Sequence, residues 1–152
     1  MTKEIALLGV NGTVLSDTLT ALLEKSDSVD VFSTTPEHVM LDTTNIVVNH
    51  LDTSSKEATR DQLIGFDTVV LALENDMGNP DFNDWVLRTY SETVNAIIEA
   101  GVKRLFVIGA KDSEAFYCGE LRRHDKLDYV FTTTEGDYAD AVAAAVNNLQ
   151  VA

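Results

Sequence analysis

Near its amino terminus the chain reads Glu4-Ile-Ala-Leu-Leu-Gly-Val-Asn-Gly-Thr-Val-Leu-Ser-Asp-Thr-Leu-Thr-Ala-Leu-Leu-Glu24. The compact apolar segment 5–8 is typical of a strand buried on both faces, and apolar residues recur at helical spacing after Gly12. Gly9 and Gly12 separate the two patterns, so the segment predicts a strand, a tight turn and a helix. Glycines permit a sharp turn and a close approach of phosphate, and the free N–H groups of a helix start favour an anion. We therefore expect this segment to open a nucleotide-binding α/β domain.

The rest of the chain repeats the alternation of strand and helix. Further strands are predicted at residues 29–32, 45–49, 67–73, 103–109 and 128–132. Helices are predicted at residues 36–41, from Ser54 or Ser55 to 64, at 82–98, from about 113, and at 138–149. Right-handed crossovers then predict one α/β domain over residues 1–152, a three-layer α/β/α fold with a doubly wound parallel sheet of about six strands. The expected strand order is 3-2-1-4-5-6.

Composition narrows the classes of partner. The net charge is -14, from 25 acidic and 11 basic residues, and this argues against nucleic acid and anionic membranes, which bind basic patches. Cys118 is the only cysteine, which excludes an internal disulfide and favours a reducing cytoplasm. No apolar run reaches membrane-spanning length, so a cytoplasmic protein is predicted. The three histidines are dispersed, and no metal site is predicted.

Ligands of such sheets bind outside the carboxyl ends of the strands, where the strand order reverses. The candidate site is therefore the edge formed by the ends of strands one, two, four and five. It comprises residues 9–14, 33–35, 72–76 and 109–113.

Five segments carry a resemblance to a known family. They are Gly9-Val-Asn-Gly12, His50-Leu-Asp-Thr53, Gly65-Phe-Asp-Thr-Val-Val70, Ile97-Ile-Glu-Ala-Gly-Val-Lys-Arg-Leu-Phe-Val-Ile108 and Leu127-Asp-Tyr-Val-Phe131. Together they resemble the atypical short-chain dehydrogenase/reductases, especially the NmrA-like and flavin-reductase-like NAD(P)-binding branch. The Ala-Gly-Val-Lys-Arg entry into strand five is the most specific match. The resemblance covers most of the chain and implies a Rossmann-like fold with NAD or NADP as cofactor.

The resemblance also implies positions for the cofactor. Asp52 with Leu51 would meet the adenine, and Leu73 with Glu74 would adjoin the nicotinamide ribose. Ser33 and Thr34 follow strand two, where an acidic residue would select NAD and an arginine NADP; they supply neither, although they could hydrogen-bond a ribose. The pyrophosphate would lie along Gly9, Asn11, Gly12, Thr13 and Val14.

The sequence departs from the family pattern at several functional positions. Leu15 stands where the third glycine of the Gly-x-x-Gly-x-x-Gly pattern is expected, so we expect the helix to be pushed outward or the turn to change register. Asp17 adds a negative charge that would compete with a pyrophosphate. The catalytic Tyr-x-x-x-Lys pair is broken because Leu121 stands four residues after Tyr117. A substitute catalytic group could form from Lys111, Ser113 and Tyr117.

The expected function is an NAD(P)-binding protein that transfers hydride from the nicotinamide to a small molecule such as a flavin or quinone. Two alternatives stay open. One is a catalytically degenerate nucleotide sensor or protein-interaction module, and the other is a relative of the NAD-dependent sugar-nucleotide epimerases and dehydratases. A homodimer that uses the 82–98 helix is also expected.

Overall fold

A computed structural model gives the fold. It describes residues 3–9, 12–25, 29–33, 46–74, 78–121, 127–134 and 136–151. The helix predicted at residues 36–41 lies outside the described residues.

The described strands form one six-stranded parallel sheet. The strand order is β3-β2-β1-β4-β5-β6, so the predicted fold class and strand order are confirmed. The central strand β4 is fully apolar and buried from Val69 to Ala72, as its continuous apolar sequence predicts for a strand covered on both faces. The strands are β1 (Lys3–Gly9), β2 (Val29–Ser33), β3 (Ile46–His50), β4 (Phe66–Ala72), β5 (Arg104–Gly109) and β6 (Asp128–Thr133).

Helices begin and end at the signals that their sequences carry. The Ser55 hydroxyl accepts a hydrogen bond from the Ala58 N–H at 3.0 Å, and the Asn79 side chain accepts one from the Phe82 N–H at 3.1 Å, so each residue caps the helix that follows. Gly65 and Gly101 have φ of 99° and 84°, conformations in which glycine ends a helix at little cost. The helices are α1 (Thr13–Lys25), α2 (Lys56–Leu63), α3 (Pro80–Glu99), α4 (Glu114–Leu121) and α5 (Tyr138–Val151), and a short 3-10 turn (Lys111–Ser113) precedes α4.

Two apolar clusters cover the two faces of the sheet. One joins the sheet to α1 and α5, and the other joins it to α2, α3 and α4. The apolar side of α3 belongs to the second cluster, where Tyr90, Val94 and Ile97 are fully buried, whereas Trp85 on the same helix is 40% exposed. The face of the 82–98 helix that the sequence marks as apolar is thus mostly buried within the chain.

Candidate functional site

The first βα turn brings the backbone of β1 close to its neighbour β4. A Cβ atom on Gly9 would overlap the carbonyl oxygen of Ala72, so only glycine fits there. Neither Gly9 nor Gly12 has a positive φ. Both glycines thus leave out a side chain where a neighbouring group lies close by, and neither uses the positive φ that glycine tolerates.

The carboxylate of Glu74 lies against the start of α1. Its Oε2 accepts a hydrogen bond from the backbone N–H of Val14 at 3.0 Å, across 60 residues of sequence. A Cβ atom on Gly12 would lie 2.7 Å from Cδ and 3.0 Å from Cγ of Glu74, so the missing side chain of Gly12 makes the space that Glu74 fills. The side chain predicted to adjoin the nicotinamide ribose thus reaches the position predicted for the pyrophosphate.

Leu15 lies in the first turn of α1. The helix begins at Thr13, and the Ser16 N–H donates to the Gly12 carbonyl at 3.0 Å. Leu15 itself is 1% exposed and belongs to the cluster that joins α1 to the sheet. The residue that replaces the third glycine is therefore a core residue of the α1 face.

A second negative charge lies one turn further along α1. The Asp17 carboxylate accepts a hydrogen bond from the Tyr138 hydroxyl at 3.0 Å. Burial, this hydrogen bond and the negative charges of Asp17 and Glu74 raise the pKa of Tyr138 to about 12. Tyr138 is therefore a neutral donor at physiological pH, and it ties α5 to α1 beside the turn.

On the predicted adenine side, the loop after β3 is ordered by its own hydrogen bonds. The Asp52 carboxylate accepts from the backbone N–H of Ser54 at 3.0 Å and from its hydroxyl at 2.6 Å, and these bonds lower the pKa of Asp52. Leu51 is fully buried and donates its N–H to the Ser33 carbonyl at 2.8 Å. Ser33 is fully buried, so its hydroxyl does not face the surface of the site. Asn11 and Thr34 lie outside the described residues.

A cleft of about 350 Å³ opens at the carboxyl ends of β4 and β5, between the start of α3 and α4. The sequence identified Leu73, Glu74, Ser113 and Tyr117 as site residues, and all four line it. Most of the side chains that α3 contributes were missed: Val86 belongs to the apolar spacing that predicts core packing, and Asn83 and Asp84 carry no sequence signal for a site. The full lining is Leu73, Glu74, Pro80, Asn83, Asp84, Val86, Leu87, Ala110, Ser113, Phe116 and Tyr117.

The three candidate catalytic residues are only partly brought together. Ser113 and Tyr117 both line the cleft, but the Ser113 hydroxyl donates to the Ala110 carbonyl at 2.8 Å, and Lys111 is exposed and is not among the lining residues. Tyr117 is 1% exposed, and its hydroxyl has no hydrogen-bond partner among the described residues. Burial raises the pKa of Tyr117, which is the opposite of the lowering that a neighbouring lysine provides.

The turn before α1 fits one oxygen of a dinucleotide phosphate. The Val14 N–H already binds an anionic oxygen, that of Glu74, and glycine at position 12 leaves the space beside it. Gly12, Thr13 and Val14 would hold the phosphate after Glu74 had moved away. Within the described part of the chain, no group of three His, Cys, Asp or Glu side chains could hold a metal ion, and no helix is both long and apolar enough to cross a membrane.

Comparison with known proteins identifies the family. The sequence profile of the NAD(P)H-binding family matches residues 9–150. A search of curated proteins found no match to this chain. Among solved structures, a candidate epimerase from Bacteroides thetaiotaomicron superposes with a TM-score of 0.68 at 22% sequence identity, over 88% of this chain and 71% of the epimerase.

Two reductases share the same fold. NADPH-dependent quinone oxidoreductase from Escherichia coli, solved with NADPH, superposes with a TM-score of 0.65 at 16% identity, over 84% of this chain and 47% of the oxidoreductase. Triphenylmethane reductase from Citrobacter, solved with NADP(H), gives 0.65 at 19% identity, over 84% of this chain and 48% of the reductase. This chain thus spans about half the length of either reductase.

Proposed function

Because this chain belongs to the NAD(P)H-binding family, which groups it with NAD(P)-binding proteins of the oxidoreductase and epimerase type, we propose that it is an NAD(P)-dependent reductase of a small acceptor such as a flavin or quinone. One observation carries the proposal: the cleft lined by Leu73, Glu74 and Tyr117 opens at the carboxyl ends of β4 and β5, where such sheets bind their ligands. When bound, the reduced nicotinamide supplies the hydride, and the protein supplies position and electrostatics.

The cleft suits an acceptor with an apolar ring. Its walls combine the aliphatic side chains of Leu73, Val86 and Leu87 with the aromatic ring of Phe116, which is 41% exposed and accessible to a ligand. The buried hydroxyl of Tyr117 stays protonated at neutral pH because burial raises its pKa. It therefore does not act as a base, and its buried oxygen lies beneath the surface that an acceptor would contact.

Binding of the cofactor is the first test. NADH and NADPH are titrated into the protein by calorimetry, and the cofactor that binds is then mixed with a panel of flavins and quinones while nicotinamide oxidation is followed at its absorbance band. A matched variant, Gly12→Ala, places a Cβ in the space that both the Glu74 carboxylate and a bound phosphate need, so the affinity should change if the cofactor binds at this position. Position 12 has no positive φ, so alanine fits the backbone there. No binding of either cofactor at millimolar ligand would rule the reductase out.

A second candidate function is a regulatory module that senses a nucleotide or binds a partner protein. Two features favour it: Glu74 fills the phosphate position, and Tyr117 has no lysine partner among the described residues. The acceptor panel separates the candidates, because a regulatory module that binds cofactor would give no nicotinamide turnover with any acceptor.

For its assembly we propose a cytoplasmic homodimer with no nucleic-acid or membrane partner. Trp85 and Phe116 are large apolar side chains that remain 40% and 41% exposed, and such side chains are enriched where subunits meet. Light scattering of the eluting protein tests the dimer, and a mass equal to one chain at high micromolar concentration would refute it.

A further inference from the structure

The start of α1 has a negative partner that its own sequence does not supply. The first turn of α1 contains no acidic residue, yet the N-terminal end of a helix favours a negative charge. Glu74, which follows β4, provides it by accepting the Val14 N–H at 3.0 Å from a partly buried position. The helix that opens the fold is thus capped from another part of the sheet edge.

Gly12 and Glu74 fit each other closely. A Cβ on Gly12 would come within 2.7 Å of Glu74 Cδ, closer than such atoms pack. The volume that a glycine at this position offers to a phosphate is therefore already filled by the carboxylate. A phosphate oxygen and Glu74 Oε2 cannot both bind the Val14 N–H along this direction.

Electrostatic repulsion also prevents Glu74 and a phosphate from occupying the start of α1 together. The Asp17 carboxylate accepts a hydrogen bond from the Tyr138 hydroxyl, and the negative charge of Glu74 helps to raise the pKa of the same tyrosine. A pyrophosphate that enters with Glu74 still in place would meet the Glu74 carboxylate directly, with the exposed Asp17 carboxylate one turn further along α1. Like charges at contact distance in a partly buried site repel strongly. Glu74 must therefore leave before the phosphate binds.

We propose that Glu74 is an intramolecular competitor for the pyrophosphate of the dinucleotide, a residue that sets the cofactor affinity of this chain by capping α1 in its place. The inference rests on the proposed cofactor binding. Only the fraction of molecules with Glu74 swung away is competent to bind, so the measured dissociation constant is the intrinsic constant divided by that fraction. Helix caps and helix-end charges of this kind shift an equilibrium about 2-fold to 30-fold.

Three variants test this. Glu74→Ala removes the competitor, Glu74→Gln keeps its shape and loses its charge, and Glu92→Ala removes one exposed carboxylate from the middle of α3 as a control for net charge. Calorimetric titration with NADH and NADPH gives the affinities, and thermal unfolding of the ligand-free proteins gives their stability.

We expect Glu74→Ala to bind the cofactor about 2-fold to 30-fold more tightly, by the range a helix cap covers, and to unfold at a lower temperature without ligand. Glu74→Gln should lie between it and the wild type, since an amide oxygen can still accept the Val14 N–H. Glu92→Ala should match the wild type in affinity. Opposite changes of affinity and ligand-free stability are the signature of a competing cap.

The failures are distinguishable. Equal or weaker binding by Glu74→Ala and Glu74→Gln, with a wild type that binds, would overturn the competitor role and leave the proposed cofactor binding standing. If Glu74→Ala fails to fold, Glu74→Gln decides by the same comparison. If the wild type binds neither dinucleotide at millimolar concentration, the proposed function falls, and if no folded Glu74 variant binds one either, the competitor role falls with it.

Discussion

Leu15→Ala probes the position at which the sequence departs most from the glycine pattern. The side chain is 1% exposed within the cluster that joins α1 and α5 to the sheet. Removing it beyond Cβ should lower the free energy of unfolding by about 2 to 5 kcal/mol, the range for a buried leucine that leaves a cavity. Leu15→Gly should lower the free energy of unfolding by about 1 kcal/mol more, because glycine has a lower helix propensity than alanine.

Urea unfolding followed by circular dichroism measures this loss. The slope of the unfolding free energy against urea concentration stays unchanged if the unfolded state is unaffected. Leu23→Ala is the control, because Leu23 lies on the same helix and is only partly buried. Its loss should be clearly smaller. A loss below about 1 kcal/mol for Leu15→Ala, or equal losses for the two variants, would mean that Leu15 does not pack as described.

The same variant separates packing from cofactor affinity. Leu15 is buried in the core and Glu74 holds the Val14 N–H, so we expect Leu15→Ala to leave the intrinsic affinity for NADH and NADPH unchanged. Tighter binding by Leu15→Ala would show that the leucine holds α1 away from the ligand, as the glycine pattern alone predicts. Such a result would refute the expectation that Leu15 packs in the core and has no effect on cofactor binding at the start of α1.

Three further predictions concern single hydroxyl groups. Thr18 is fully buried and its hydroxyl has no partner among the described residues. Thr18→Val should therefore raise the free energy of unfolding, measured in urea, by about 1 kcal/mol. A decrease in that free energy by about 1 kcal/mol would contradict the prediction. The pKa of Tyr138 is raised to about 12 in the folded chain, so the stability tied to its protonated form is complete below pH 10 and is lost as the pH rises toward 12. Tyr138→Phe should therefore lose less stability than the wild type between pH 10 and pH 12, measured by unfolding at each pH. An equal loss in the two proteins would refute the shift. Tyr117→Phe removes another buried hydroxyl that has no partner among the described residues, and it should change nicotinamide turnover by less than about tenfold. General acid–base residues contribute about 100-fold or more, so a 100-fold loss would make Tyr117 catalytic.

The strands were predictable because their environment repeats along the sequence. Every strand of a parallel sheet that is covered on both faces reads as a continuous apolar run, and β4 and β5 are found within about two residues of the segments predicted for them. Helix ends were predictable where local signals exist, as at Ser55 and Gly65. The expected strand order, that of a doubly wound parallel sheet, is confirmed.

The site was less predictable because its decisive contacts are not local. Glu74 was identified as a site residue from its place after β4, but sequence carries no signal for the direction in which its side chain reaches. The burial of Leu15 was not predicted, because the glycine pattern describes the turn alone, whereas the burial depends on the facing strands. The burial of Tyr117 depends on the apolar cluster that joins α2, α3 and α4 to the sheet, which α4 does not encode by itself.

The proposed competition links stability and cofactor affinity with opposite sign at one side chain. The hydrogen bond from Val14 to Glu74 stabilises the ligand-free fold by about 0.5 to 2 kcal/mol if it acts as an ordinary cap, a noticeable part of the roughly 5 to 15 kcal/mol that holds a domain folded. The same bond must break before a phosphate can take its place. In the proposed competition α1 keeps a negative partner in both states, Glu74 without the ligand and the phosphate with it. Substitutions at Glu74 should for that reason improve binding only at the expense of the ligand-free protein.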